Sequence, residues 1–377
     1  MGAVLRACPT RHIGYIVSCM KKGTLPFELR PTNIEGVYSF VPPPKGFDHR
    51  NASNATLIKH GILVPRPDPV KNPALFELWR QVLEEIWTEE NFTVPVLAPQ
   101  VGITHNLKDT RHTDGPPIGG VSWSGCALVG SWSGVMGVWA IPEVSQPSTP
   151  QAPNGGWNSS SWVGLDGCFG LIPGTTSTDV LQAGVEQRVD AAGNAHYDAW
   201  IEWYVPAPTN LPQGTPVDVQ GYPLAWVGPH GHYKYVHQMN INSFPVKAGE
   251  EVSVVVQYVK HKGDEIGNPL PPTGPYSFGA ISFVNMTTHK SHRFYLKPPP
   301  GASFAEESAE WVMELPDGGA GTLPKFTSVT FETAGACNAQ NTPSDLSKGD
   351  LFYLESALQP LTAASIGEAS VTITYLV

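Results

Sequence analysis

The sequence predicts an all-β protein, a sandwich or a barrel, behind a loop-rich N-terminal extension. Composition is the first sign: Gly and Pro number 38 and 37 in 377 residues, a combined fifth of the chain against a usual share of about 12%. Only 15% of the residues are charged. Patterning is the second sign, because from residue 118 onward runs of period-two alternation are bounded by Gly, Pro, Asn and Asp. Many short strands joined by tight turns read in this way.

Residues 1–117 form the extension, with PPPK at 42–45 and PRPDPV at 65–70. Its one predicted helix starts with Asn72 as N-cap and Pro73 in the first turn, and Leu75, Phe76, Trp79, Val82, Leu83 and Ile86 recur at helical spacing. That stripe requires a packing partner. Asp114-Gly115-Pro116-Pro117 reads as a linker to a β domain over 118–377. Predicted strands lie within 125–142, 161–167, 180–186, 197–205, 250–259, 276–286, 308–315, 325–334 and 370–377.

A net charge of −10 excludes a nucleic-acid partner, which needs a basic surface. Residues 1–72 hold 10 Lys and Arg against 4 Asp and Glu, a balance of +6, so a basic head precedes an acidic body. No apolar run of membrane-spanning length occurs, and Arg6, Arg11 and His12 interrupt any N-terminal leader. Five cysteines, Cys8, Cys19, Cys126, Cys168 and Cys337, form no C-x-x-C pair, and the odd count leaves at least one thiol free. Sequons at Asn51, Asn54, Asn91, Asn158 and Asn285 are compatible with secretion.

Alternation assigns the strand faces. In VLQAGVE, Leu181, Ala183 and Val185 take the core side, while Val180, Gln182 and Gly184 point away from it, toward solvent or a cleft. Trp162, Gly164 and Asp166 share such a face, as do Asp198, Trp200, Glu202 and Tyr204, and Glu310, Val312 and Glu314. One sheet is therefore expected to present tryptophans, tyrosine, carboxylates and an amide outward. Such a face suits a peptide or carbohydrate groove, so a hydrolase and a lectin-like binding module both fit.

Six segments in order, SWSGCALVG (122–130), SWVGLDG (161–167), DVLQAGVE (179–186), YDAWIEWYVP (197–206), AEWVMEL (309–315) and SVTITYLV (370–377), resemble the signature segments of the eqolisins, the glutamic peptidases. The resemblance covers about 118–377. It implies two antiparallel sheets packed as a concanavalin A-like, jelly-roll type of sandwich and a pepstatin-insensitive acid endopeptidase without metal or cofactor. A secreted monomer acting on unfolded protein is the expected setting. By position it implies Gln182 and Glu314 as the catalytic pair, and Trp123, Trp162, Trp200, Glu202 and Tyr204 as substrate-binding residues. Asp166 and Asp198 are expected to brace loops through hydrogen bonds to backbone. On the same ground, residues 1–117 are expected to be a pro-region.

The sequence departs from that family pattern at several points. Leu315-Pro316 follows Glu314 in place of Asp and an aromatic, and Pro316 should end the strand. Ala183 and Glu186 stand for Thr and Asp, the usual cysteine partner for Cys168 is missing, and an insert spans 207–240. Other chemistries find no support. His230, His232 and His237 lie in a Gly/Pro-flanked loop without H-E-x-x-H, and there is no G-x-S-x-G, P-loop or paired D-[S/T]-G.

Overall fold

Alternation divides each long strand between two environments, and the chain satisfies both by stacking two sheets. The computed structural model describes residues 27–64, 66–71, 73–86, 92–100, 118–119, 122–148, 156–168, 172–205, 238–261, 276–299, 302–316, 323–339, 344–356 and 359–377. The front sheet runs in the order Leu97–Pro99, Met239–Pro245, Ala195–Tyr204, Val180–Val189, Trp157–Leu165, Ser308–Glu314, Trp123–Val129, Asp350–Tyr353, Ile118–Gly119. The back sheet runs Leu29–Pro31, Val37–Phe40, Lys290–Leu296, Tyr276–Asn285, Glu251–His261, Gly134–Ala140, Val329–Cys337, Ser370–Tyr375, Thr362–Ile366. Pairing is antiparallel except between Asp350–Tyr353 and Ile118–Gly119. Neither sheet closes on itself, so the architecture is a sandwich and not a barrel.

The inner faces carry the residues that alternation assigned to them. Leu181, Ala183 and Val185 of the front sheet share one core with Val252, Val254 and Val256 of the back sheet, and Trp139, Trp203, Trp311, Phe283 and Phe331 fill it. Several polar groups inside that core are paired. Gln187 Nε2 donates to Ser161 Oγ at 2.7 Å, and Trp139 Nε1 donates to the same oxygen at 3.1 Å. Trp311 Nε1 donates to the Met136 carbonyl at 2.8 Å, fastening the Ser308–Glu314 strand to the opposite sheet. Each buried donor left unmet would cost about 1–3 kcal/mol.

The extension contributes to both sheets. Val37–Phe40 pairs with Lys290–Leu296, and Leu97–Pro99 pairs with Met239–Ile241. Ile34, Val37 and Leu97 belong to the main core. Asn33 ties the two edges together, since its Nδ2 donates to the Leu97 carbonyl at 2.7 Å and its Oδ1 accepts from Leu97 N at 2.9 Å. These edge strands escape sequence reading because three or four residues show too little alternation.

The predicted helix spans Pro73–Arg80 and continues as a π-helical turn over Gln81–Ile86; Asn72 lies outside the described residues. A further short helix, Asn54–Lys59, has Ser53 as N-cap. Trp79 and Leu83 of the stripe cluster with Leu57 and Ile62. Between these helices and the outer face of the back sheet lies a half-open cavity of about 390 Å³ bordered by Ile62, Trp79, Leu83, Met136, Val255 and Arg293. Among the described residues no helix is long and apolar enough to cross a membrane, and Cys126, Cys168 and Cys337 are free thiols. The Asn285 sequon is buried, with its Nδ2 donating to Glu250 at 2.8 Å.

Candidate active site

Strand register converts the outer face of the front sheet into cross-strand rows. One row reads Glu202, Gln182, Gly164, Glu310; the next reads Trp200, Gly184, Trp162, Val312; the third reads Asp198, Glu186, Ser160, Glu314, Trp123. Gln182 and Glu314 thus lie on one face, with the Trp157–Leu165 strand between them and four residues of offset along it. Trp162 occupies the middle of that diagonal.

Hydrogen bonds hold each member. Trp162 Nε1 donates to Glu314 Oε2 at 2.7 Å, and Gln182 Nε2 donates to Glu202 Oε2 at 2.7 Å. The Trp123 ring meets that of Trp162 edge-on, with centroids 4.8 Å apart and planes at 80°. Trp200 Nε1 donates to Ser160 Oγ at 3.0 Å, and Glu186 Oε2 accepts from Gln238 Nε2 at 3.1 Å. Tyr204 packs on Val180 at the end of the face. Glu314 closes its strand as Pro316 demands, and Leu315 N donates to the Ser122 carbonyl at 2.8 Å.

The expectation of an outward, solvent-facing surface is corrected here. Trp123, Trp162, Trp200, Gln182 and Glu314 are all 0% exposed, and Glu202 is 1% exposed. Ile118, Ala127, Cys168, Ile172, Val312 and Phe352 join the three tryptophans in a second apolar cluster on this side. Alternation tells which side of a strand a residue takes and nothing about what lies over that side.

Asp166 accepts backbone hydrogen bonds from a loop. It adopts φ 66°, its Oδ2 accepts from Ala305 N at 2.7 Å and Glu306 N at 3.2 Å, and its Oδ1 accepts from Glu307 N at 2.7 Å. That loop leads directly into the Ser308–Glu314 strand, so the bracing fixes where Glu314 begins its run. Asp198 makes no such bond among the described residues; it is half-buried at a register shift against Met239–Pro245. Ser160, Gln238 and Glu310 are site residues that sequence reasoning missed as participants. His230, His232 and His237 lie outside the described residues, and among those described no group of His, Cys, Asp and Glu could hold a metal ion.

Buried acids surround this loop. Burial pushes Asp179 up to about 6, against its hydrogen bond from Ser303 N, and it raises Asp166 and Glu310 as well. An aspartate ionises at about 3.9 when unfolded. The contribution of Asp179 is therefore fully present below about pH 4 and is lost as pH rises to about 6. His292 opposes it, because burial lowers its imidazole to about 4 and its contribution fades as pH falls from 6.5. Asp179→Asn isolates the acid: relative to wild type, the variant should gain about 2 kcal/mol between pH 4 and 6.5 in urea unfolding. A constant difference across that range would contradict the assignment.

The indole bond invites a second substitution. Trp162→Phe keeps an aromatic ring but removes the Nε1 donor to Glu314. If the site works through Glu314, kcat on a peptide substrate should fall roughly 10- to 100-fold with little change in KM. An unchanged kcat would mean that the indole merely fills space.

Residues 121–375 match the model of the peptidase A4 family. Among solved structures, scytalido-glutamic peptidase with a transition state analog inhibitor is 17% identical, covering 68% of this chain and 98% of its own at a TM-score of 0.46. SCP-B, a member of the eqolisin family of peptidases in complex with the tripeptide Ala-Ile-His, is 16% identical, covering 68% and 98% at a TM-score of 0.44. Aspergilloglutamic peptidase from Aspergillus niger is 24% identical, covering 58% and 99% at a TM-score of 0.41. No curated protein matches the chain.

Proposed function

Because the chain belongs to the peptidase A4 family, we propose that it is a glutamic endopeptidase acting on unfolded protein in acid, with Gln182 and Glu314 as its catalytic pair. The observation that carries this reading is the diagonal Gln182, Trp162, Glu314 on one enclosed face, with each end anchored by a hydrogen bond. Two strand spacings and four residues of rise put the two Cα atoms roughly 16 Å apart on a flat sheet.

The groups suit the chemistry. Glu314 takes a proton from water as it attacks the carbonyl and returns one to the departing amine. Gln182 has two N–H bonds. The one held by Glu202 fixes the amide, and the other faces the developing oxyanion, where a fixed donor is worth about 3–4 kcal/mol. A carboxamide does not titrate, so this donor persists in acid. Trp123, Trp200 and Tyr204 would line the substrate once the face opens.

Residues 1–117 are read as a pro-region whose basic head holds the acidic body at neutral pH and loosens as carboxylates protonate. Secretion fits an acid peptidase of this kind. The test is digestion of denatured casein from about pH 2 to 7 with pepstatin and a chelator present, alongside retention on immobilised polysaccharides. Inhibitor-resistant cleavage in acid supports the peptidase; retention without cleavage would favour a lectin-like binding module on the same face. Chain length after acid incubation checks the pro-region, since a full-length chain with full activity would remove that part of the reading.

A further inference from the structure

An antiparallel sheet with one face on a core commonly gives its other face to water, and that face is then polar. The back sheet departs from this where the extension meets it. On Tyr276–Asn285 and Lys290–Leu296, Ile281, Phe283, Phe294 and Leu296 point into the inter-sheet core, so Phe278, Ala280 and Tyr295 take the outer face. These three are nevertheless buried. Phe27 and Phe40 of the extension cover them. Phe27 meets Phe278 edge-on with centroids 5.3 Å apart, Phe40 meets Tyr295 edge-on at 6.2 Å, and Phe278 and Tyr295 stack at 4.5 Å. One aromatic cluster thus spans the boundary between extension and sandwich.

The extension also occupies an edge of each sheet. Without Val37–Phe40 the back sheet would end on Lys290–Leu296, and without Leu97–Pro99 the front sheet would end on Met239–Pro245. An uncovered edge strand is a template for aggregation. From the front edge the contact reaches the candidate site. Gln100 N donates to the Gln238 carbonyl at 2.9 Å, and Gln238 Nε2 donates to Glu186 Oε2, in the row of Glu314, at 3.1 Å. The ion pairs between described residues do not cross the boundary: Arg30 to Glu28, Lys71 to Asp68 and Arg80 to Glu77 lie within the extension, and Lys260 to Glu306 and Lys348 to Asp345 lie within the sandwich. Apolar burial and backbone pairing make this joint.

We propose that the described part of the extension, from Phe27 to Gln100, is a permanent component of the folded protein: a cut between Gln100 and Ile118 yields a two-chain molecule in which the extension still covers the back sheet and holds the edge beside Glu186. Any release on activation then belongs to the basic head before Phe27, where Arg6, Arg11, Lys21 and Lys22 stand without an acid. This inference divides the pro-region reading and rests on the peptidase reading only for what activation means. Its structural consequence needs no turnover.

The test places a sequence-specific protease site between Gln100 and Ile118 of the full chain, cuts it to completion on a denaturing gel, and applies size exclusion in about 1 M NaCl, where charges are screened beyond about 3 Å. Both pieces should elute together at the volume of the uncut chain. Phe40→Ala in the same cut chain should make them part at a lower urea concentration than wild type. If Phe40→Ala does not fold, the wild-type cut decides alone. A sandwich that elutes without the extension, or precipitates once cut, would overturn the proposal, as would an unmoved urea point in a folded Phe40→Ala. Co-elution of a cut protein that cleaves no peptide would sink the peptidase reading and leave the joint standing; pieces that separate while peptide is cleaved would do the reverse.

Discussion

Glu314→Gln is expected to lower kcat for peptide hydrolysis by about 10²- to 10⁴-fold, the range lost when a general acid–base is removed. The variant should fold normally, because a glutamine oxygen at this position still accepts from Trp162 Nε1 and the strand keeps both neighbours, Trp157–Leu165 and Trp123–Val129. KM should change little, since in the proposed reaction the carboxylate works on water and leaving group and not on the bound chain. Thermal unfolding measured beside the kinetics separates loss of chemistry from loss of structure. Retained turnover in a folded Glu314→Gln would remove Glu314 from the reaction.

Gly184→Ala is expected to destabilise the protein by about 3–5 kcal/mol, at the upper end of overpacking effects. The glycine stands between Trp200 and Trp162 in their row. A Cβ there would lie 2.2 Å from the Ser161 carbonyl oxygen and 2.5 Å from Trp162 Cβ, both fixed parts of the adjacent strand. The sheet must part at the residue that holds Glu314, so stability and activity should fall together. Urea unfolding is the measurement. A near-wild-type midpoint would show that the two strands are not held together at this row.

Much of this was legible from local pattern. Period two assigned Leu181, Ala183, Val185, Trp203 and Trp311 to the inter-sheet core and Gln182, Trp162 and Glu314 to the opposite face, and the structure agrees. The π-helical turn after Arg80 was not foreseen, yet the apolar stripe of Phe76, Trp79, Val82 and Leu83 packs as one surface. What pattern could not give was strand order. Ser308–Glu314 inserts between Trp157–Leu165 and Trp123–Val129, partners more than 140 residues earlier in the chain. No local signal encodes that crossover, and so the bond from Trp162 to Glu314 could not be anticipated. Glu310 illustrates the same limit. Its face followed from alternation, but its row with Gln182 needed the register. The enclosure of the whole face was illegible for a related reason, since burial is set by what arrives from elsewhere in the chain.

The central claim is that Gln182 and Glu314 serve one reaction at one place, and a double-mutant cycle tests it most directly. Gln182→Ala alone should lower kcat by about 10²- to 10³-fold, the usual cost of losing one oxyanion donor. Residues that act as a unit are strongly non-additive. Combined with Glu314→Gln, the Gln182→Ala substitution should therefore add little to the loss already caused by the glutamate change. Losses that multiply in full would contradict the account and assign the two side chains to independent tasks.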